Sequence, residues 1–209
     1  MNILAIDTSG EPLSLALSAG EKIWRIRRAP KRPHDETLVP AVEGLLKKAG
    51  LGFKDLGAVA AAAGPGRFTG IRIGMSFAAV AAGRLKIPAL AVSRLEALAW
   101  TVPGHAGTRA RSVCALLPGF RDEKFYQLFL VSRGGVPRPK APPAWATAAE
   151  WEKIRKEFEA ADVLILEGEV GAEELLAPAR AALKLRRRRP FQPLYLKSAK
   201  YESAPRVLR

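Results

Sequence analysis

Residues 56–63 read Leu-Gly-Ala-Val-Ala-Ala-Ala-Ala, with no polar side chain among them. A strand that is apolar on both faces must be covered on both, so this segment predicts a central strand of a sheet with structure packed on either side. It runs directly into Gly64-Pro65-Gly66-Arg67-Phe68-Thr69-Gly70 and then into a helical pattern reaching about Leu85. Buried strand, glycine-rich turn and helix in that order predict an α/β fold.

The flanking segments extend this reading. Asn2 to Ile6 is a short apolar strand that ends in the turn residues Asp7-Thr8-Ser9-Gly10. Leu13, Leu15 and Leu17 alternate with small residues, and another strand follows near Ile23 to Arg27, so the chain opens as an antiparallel meander. From Asp35 the period lengthens. Leu38, Val42, Leu45, Leu46 and Ala49 share one helix face, Pro40 lies within that helix and Gly50 can stop it. Ala89 to Val92 predicts another strand, and Ser93-Arg94-Leu95-Glu96 is a capping box opening a helix to Trp100.

A Pro/Gly/Arg segment from Pro103 to Arg111 separates this unit from a less regular one. There, strands are expected at Ser112–Leu117, Phe125–Val131 and Val163–Leu166, with an irregular stretch over Arg133–Pro143. Helices are expected from Thr147, with Trp151, Ile154 and Phe158 as the buried stripe, and from Gly171 to about Leu185. The expected organisation is an N-terminal α/β lobe over 1–102 and a smaller α/β lobe over 103–209. No sequence repeat relates them.

Composition narrows the function. The chain has 209 residues, of which 48% are hydrophobic, enough to bury a core, and its formal net charge is +14. Such an excess suits a polyanionic partner such as nucleic acid. The single cysteine, Cys114, sits in an apolar run and reads as a buried thiol, which fits a reducing, cytoplasmic setting. The apolar N-terminus is a strand interrupted by Asp7 rather than a leader, and no apolar run is long enough to span a membrane. His34 and His105 are the only histidines and lie far apart, so no metal-ligand set and no HExxH pattern exists. His34, beside Asp35, reads as a surface or first-turn residue.

Two features could carry chemistry. The 64–70 loop is no Walker A sequence, yet Gly64, Gly66 and Thr69 precede a helix N-terminus, where a phosphate could sit; a plain tight turn explains the glycines equally well. Asp7 and Thr8 resemble the first phosphate loop of the actin, Hsp70 and sugar-kinase superfamily. In the helix after the loop, Gly70, Gly74, Ala78 and Ala82 form a stripe of small residues, with Arg72 and Met75 beside it. Interior glycines each cost about 1 kcal/mol relative to alanine, so close packing must compensate, either within the chain or against a partner helix.

Taken in order, ILAIDTS, the three-strand opening, His34 with its Leu-Val-Pro helix, AAAAGPGRFTGIRIG, VSRLEALA and the late PLYLK at 193–197 resemble the TsaB (YeaZ) family. The resemblance is dense over residues 2–100 and sparse beyond. It implies an ASKHA fold of two ribonuclease-H-like lobes, the second truncated, and a non-catalytic scaffold without cofactor or metal of its own. It further implies heterodimerisation with a TsaD-like transferase that carries ATP and metal, a TsaE-like ATPase in a larger complex, and threonylcarbamoylation of adenosine 37 in tRNA.

The first two helices would form the partner bundle through Leu38, Val42, Leu45, Gly70, Arg72, Gly74, Met75, Ala78 and Ala82, so Gly74→Glu is expected to abolish the complex while sparing the fold. A homodimer is the alternative state when the partner is absent. The chain departs from the family at Arg67, which stands in place of serine, and at Gly119 and Lys124, which replace acidic positions beside Arg121 and Tyr126. Two other readings remain. One is an independent ATPase or phosphotransferase using Asp7. The other is a basic tRNA-binding protein using Arg25, Arg27, Arg28, Lys31 and Arg32 together with Arg186–Arg189.

Overall fold

The computed structural model describes residues 1–29, 33–103, 110–185 and 190–197. The meander appears as β1 (Ile3–Asp7), β2 (Leu13–Ala19) and β3 (Lys22–Arg28), followed by α1 (His34–Lys48). The apolar run forms β4 (Ala58–Gly64), buried along its whole length, and leads to α2 (Phe68–Leu85), β5 (Ala89–Ser93) and α3 (Arg94–Ala99). These strands make one mixed sheet in the order β3-β2-β1-β4-β5, with β1, β4 and β5 parallel.

The second sheet contains β6 (Arg111–Pro118), β7 (Lys124–Val131), β8 (Pro137–Pro139), β9 (Ala144–Ala146) and β10 (Leu164–Glu167). Its path is β10-β6-β7-β8, with β9 also paired to β7. Read as β8-β7-β6-β10, it repeats the antiparallel, antiparallel, parallel scheme of β3-β2-β1-β4, with no strand beyond β10 among the described residues to match β5. The repeat is one of topology, which explains why the sequence does not display it.

Helices alternate with the sheets in five layers. On the outer face of the first sheet, α1 and α2 bury Leu38, Val42, Leu45, Ile71 and Met75 against Leu4, Ile6, Leu15 and Val59. Between the sheets, α3 and α5 (Leu176–Lys184) bury Leu95, Leu98, Leu175 and Ala179 against Ile3, Ala60, Leu117 and Phe129. On the far side of the second sheet, α4 (Ala148–Ala160) packs Trp151, Ile154 and Phe158 against Cys114 and Leu116. This is an α/β fold built on two sheets of related topology. The alanine-rich character of β4 follows from the layering, because small residues let helices approach both faces.

Two local expectations need correction. The stretch over 133–143, expected to be irregular, contains β8, and β9 follows it; the prolines of β8 are tolerated because it is an edge strand. The last helix starts at Leu176 rather than Gly171, because Gly171 N donates to Glu174 Oε2 (2.8 Å) and Ala172 N to Ser14 Oγ (2.8 Å). His34 takes the first-turn alternative of its expected placement, buried at the start of α1 with its Nε2 3.3 Å from the Gly10 carbonyl oxygen. The expected linker falls largely on residues 104–109, which lie outside the described residues together with His105.

Candidate functional site

The C-terminal ends of β1, β4, β5 and β10 bring four loops together, the position at which α/β sheets hold ligands. Asp7, at the end of β1, is 2% exposed. Its Oδ1 accepts from Ser9 N (2.8 Å) and Ser9 Oγ (2.6 Å), and its Oδ2 lies 3.1 Å from Arg94 Nε. Thr8 Oγ1 donates to the Gly70 carbonyl (2.6 Å), and Arg67 N donates to the Ser9 carbonyl (2.8 Å).

The glycines of the loop and of α2 make room for this turn. A Cβ on Gly66 would lie 2.7 Å from Ser9 O, one on Gly70 would collide with Thr8 O, and one on Gly74 would lie 2.5 Å from Thr8 Oγ1. Gly64, at φ +113°, has the Leu194 carbonyl where its Cβ would be. The cradle read from the sequence is thus filled by residues 7–9 of the same chain, while Thr69 is exposed at its rim.

Arg94 ties the loops together. Besides Asp7, its Nη1 donates to the Pro65 carbonyl (3.1 Å) and its Nη2 to the Val170 carbonyl (3.0 Å), the latter beyond β10 in the second half. Sequence reasoning treated Arg94 only as the residue after a cap. One signal was available: a cation at the first position of a helix opposes the positive end of the helix dipole, so a buried anion beyond the helix is needed to hold it. Further ties close the same boundary. Arg25 pairs with Glu173, Arg27 with Glu169, and Arg180 donates to Ser18 Oγ. The Arg25 guanidinium holds the Glu173 carboxyl below the usual carboxylate range.

The small-residue stripe therefore serves the chain's own packing. Leu38, Val42, Leu45, Gly70, Gly74, Met75, Ala78 and Ala82 are all buried against the first sheet, which corrects the expectation that Gly74→Glu would leave the fold intact. Of the residues expected at a partner interface, Arg72 is exposed; its guanidinium lies 3.8 Å from the Phe68 ring centre and its Nε donates to Tyr195 Oη (3.1 Å).

The outer side of α2 presents Phe77, Val80 and Ala81, with Val80 72% exposed, over a groove of about 530 Å³ that Phe53 and Leu85 complete and Lys54 and Arg84 rim. On α1, Val39 is also exposed. Arg25 and Arg27 of the expected basic cluster are engaged in ion pairs; Lys31, Arg32 and Arg186–Arg189 lie outside the described residues.

At the departures from the family, a Cβ on Gly119 would approach the Glu123 carbonyl to 2.8 Å, and Lys124 pairs with Glu167 (2.7 Å). No group of three or more metal-ligating side chains occurs among the described residues, and no described helix is long and apolar enough to cross a membrane.

The family model "TsaD: tRNA N6-adenosine threonylcarbamoyltransferase" matches residues 28–128. The chain is 42% identical over 100 residues to the tRNA threonylcarbamoyladenosine biosynthesis protein TsaB of Bacillus subtilis (strain 168), a stretch covering 47% of this chain and 44% of that one. It is 37% identical over 99 residues to the protein of the same name from Haemophilus influenzae, covering 47% and 42%. The chain spans less than half the length of the curated relatives it matches. Among solved structures, YeaZ from Pseudomonas aeruginosa superposes with a TM-score of 0.70 at 26% identity, over 93% of this chain and 99% of that one.

Proposed function

We propose that the chain, similar to TsaB proteins over about half its length and to YeaZ in structure, is a member of the TsaB/YeaZ family that serves tRNA threonylcarbamoyladenosine biosynthesis as a non-catalytic subunit, docking on a TsaD-type transferase through the outer face of α1 and α2. The observation that carries this reading is the apolar outer face itself. Val39, Phe77 and Val80 stay accessible while the small-residue stripe is used up inside the chain. A face of this kind on a helix pair fits a partner helix packed alongside it. ATP and metal belong to the partner subunit in this scheme, and a TsaE-like ATPase and tRNA reach the chain through the complex.

The closed site favours a scaffold over an ATPase or phosphotransferase. Both Asp7 oxygens are engaged by Ser9 and Arg94, and the glycine cradle is occupied, so a phosphate entering there would have to displace the Thr8–Ser9 backbone.

The test is size-exclusion chromatography of the chain co-expressed with a TsaD-type subunit. Val80→Glu, on the exposed face, abolishes the heterodimer while the variant stays folded; an intact complex with folded Val80→Glu overturns the assignment. The same runs on the chain alone report whether it homodimerises. Titration with Mg-ATP tests the enzyme alternative, and turnover lost in Asp7→Ala would restore it.

A further inference from the structure

Exposed aromatic rings, each beside a cation, are linked by contacts from the β6–β7 turn through β9 to the C-terminal strap of residues 190–197, and involve none of the residues placed in the docking face except Arg72. At the tip of the β6–β7 hairpin, Phe120 is 71% exposed with the Arg121 guanidinium 5.2 Å from its ring centre. Lys197 reaches from the C-terminal strap to Glu123 in that same turn, and its Nζ stands 4.6 Å over the ring of Trp145, which is 37% exposed. Two residues earlier in the strap, Tyr195, 39% exposed, packs on Phe68 at a tilt of 37° with ring centres 4.8 Å apart, and its hydroxyl accepts from Arg72 Nε. Each pair is joined to the next by a contact or by two residues of chain.

We propose that these linked rings form a stacking platform for single-stranded RNA. Unpaired bases stack on aromatic rings and guanidinium planes, and neighbouring cations neutralise the backbone. The charge distribution agrees. Over residues 111–149 the sequence carries Arg111, Arg121, Lys124, Arg133, Arg138 and Lys140 against Asp122 and Glu123; Glu123 pairs with Lys197 and Lys124 with Glu167, and the hollow beside Trp145 holds Glu150 as well as Lys153.

The hairpin tip is also held in an unfavourable backbone. Arg121 (φ +53°) and Asp122 (φ +64°) both occupy the left-handed region usually given to glycine or asparagine. Strain kept at a tip that displays a bare aromatic ring and an arginine points to a use for that display. An apolar protein partner is the less suitable occupant, because cations flank every ring and no continuous apolar groove joins them. The inference rests on the proposed function only in taking the RNA to be tRNA.

The experiment measures fluorescence anisotropy of a labelled single-stranded heptaribonucleotide, a labelled anticodon stem-loop and a labelled RNA duplex titrated with the full chain. The single-stranded probe and the stem-loop bind better than the duplex, and binding quenches tryptophan fluorescence. Phe120→Ala and Trp145→Ala each weaken binding about five- to tenfold. Trp145→Phe retains most of it, and Lys153→Ala, beside Trp145 in the same surface hollow, flattens the dependence on log salt by about 0.7.

Unchanged affinity in folded Phe120→Ala and Trp145→Ala, or equal binding of duplex and single strand, overturns the proposal. Loss of the TsaD-type partner in these variants with RNA affinity unchanged makes the surface a protein interface and also overturns it. A missing heterodimer with intact RNA binding refutes the docking face alone.

Discussion

Replacing Arg94 by methionine keeps much of the side chain's apolar stem and removes its charge. Three interactions disappear together: the ion pair to Asp7 at 3.1 Å and the donations to the Pro65 and Val170 carbonyls at 3.1 and 3.0 Å. Asp7 is 2% exposed and the Arg94 side chain 12%, so water cannot readily replace the guanidinium. Removing one partner of a buried pair strands the other, which typically costs about 3–5 kcal/mol. The lower end suits this site, because Ser9 still supplies two donors to Asp7 Oδ1.

For a chain of this length, a loss of about 3 kcal/mol lowers the melting temperature by about 6–12 °C. Urea denaturation gives the free energy, and hydrogen exchange read by mass spectrometry gives the place. Amides of 168–173 should exchange faster, since the loop loses its tie to the first sheet. In a double-mutant cycle, Asp7→Asn with Arg94→Met should cost at least 1 kcal/mol less than the sum of the single changes. A loss below about 1 kcal/mol with unchanged exchange, or strict additivity, refutes Arg94 as the residue that closes the cleft.

The glycines of α2 provide a matched pair. Gly74→Ala forces a methyl to 2.5 Å from Thr8 Oγ1 and should destabilise by about 1–3 kcal/mol, whereas Gly83→Ala, with nothing within 4 Å, should stabilise by about 0.5–1 kcal/mol in the same denaturation assay. Burial pushes the Cys114 thiol from 9.0 up to about 12. The unfolded chain therefore loses this proton first as pH rises, and wild type should lose about 1 kcal/mol more than Cys114→Ala between pH 9 and pH 10.

At the start of α4, the Thr147 backbone N–H and hydroxyl hold the Glu150 carboxyl below its ordinary value. Its contribution is present above the unfolded carboxylate range and disappears on acidification. Thr147→Ala should cost about 1 kcal/mol at neutral pH and less near pH 3, as followed by helical circular dichroism during urea titration.

Much of the fold was legible because local chemistry and global packing agree. The period-2 leucines of β2, the two-sided apolar run of β4 and the Thr147–Glu150 box each fix an element through neighbours close in the chain. The short strands β8 and β9 were not legible, since proline is a poor strand former until the sheet places it at an edge. The site was half legible. Asp7, Thr8 and the glycine loop could be identified from the residues, but not that they would fill one another's space.

The sequence by itself determined an α/β chain with a buried central strand, a glycine loop leading into a tightly packed helix, and a family resemblance carried by residues 2–100. Tertiary structure alone decided which side of α2 faces inward, because a stripe of small residues suits a sheet and a partner helix equally until the surrounding chain is in place. It also decided that Thr8 and Ser9 pack against the glycines of the 64–70 loop and of α2. Arg94 and Asp7 lie 87 positions apart in sequence, and only the parallel arrangement of β1, β4 and β5 brings the start of α3 to the end of β1. Through-space pairing of this kind depends on topology, which local residue patterns do not encode.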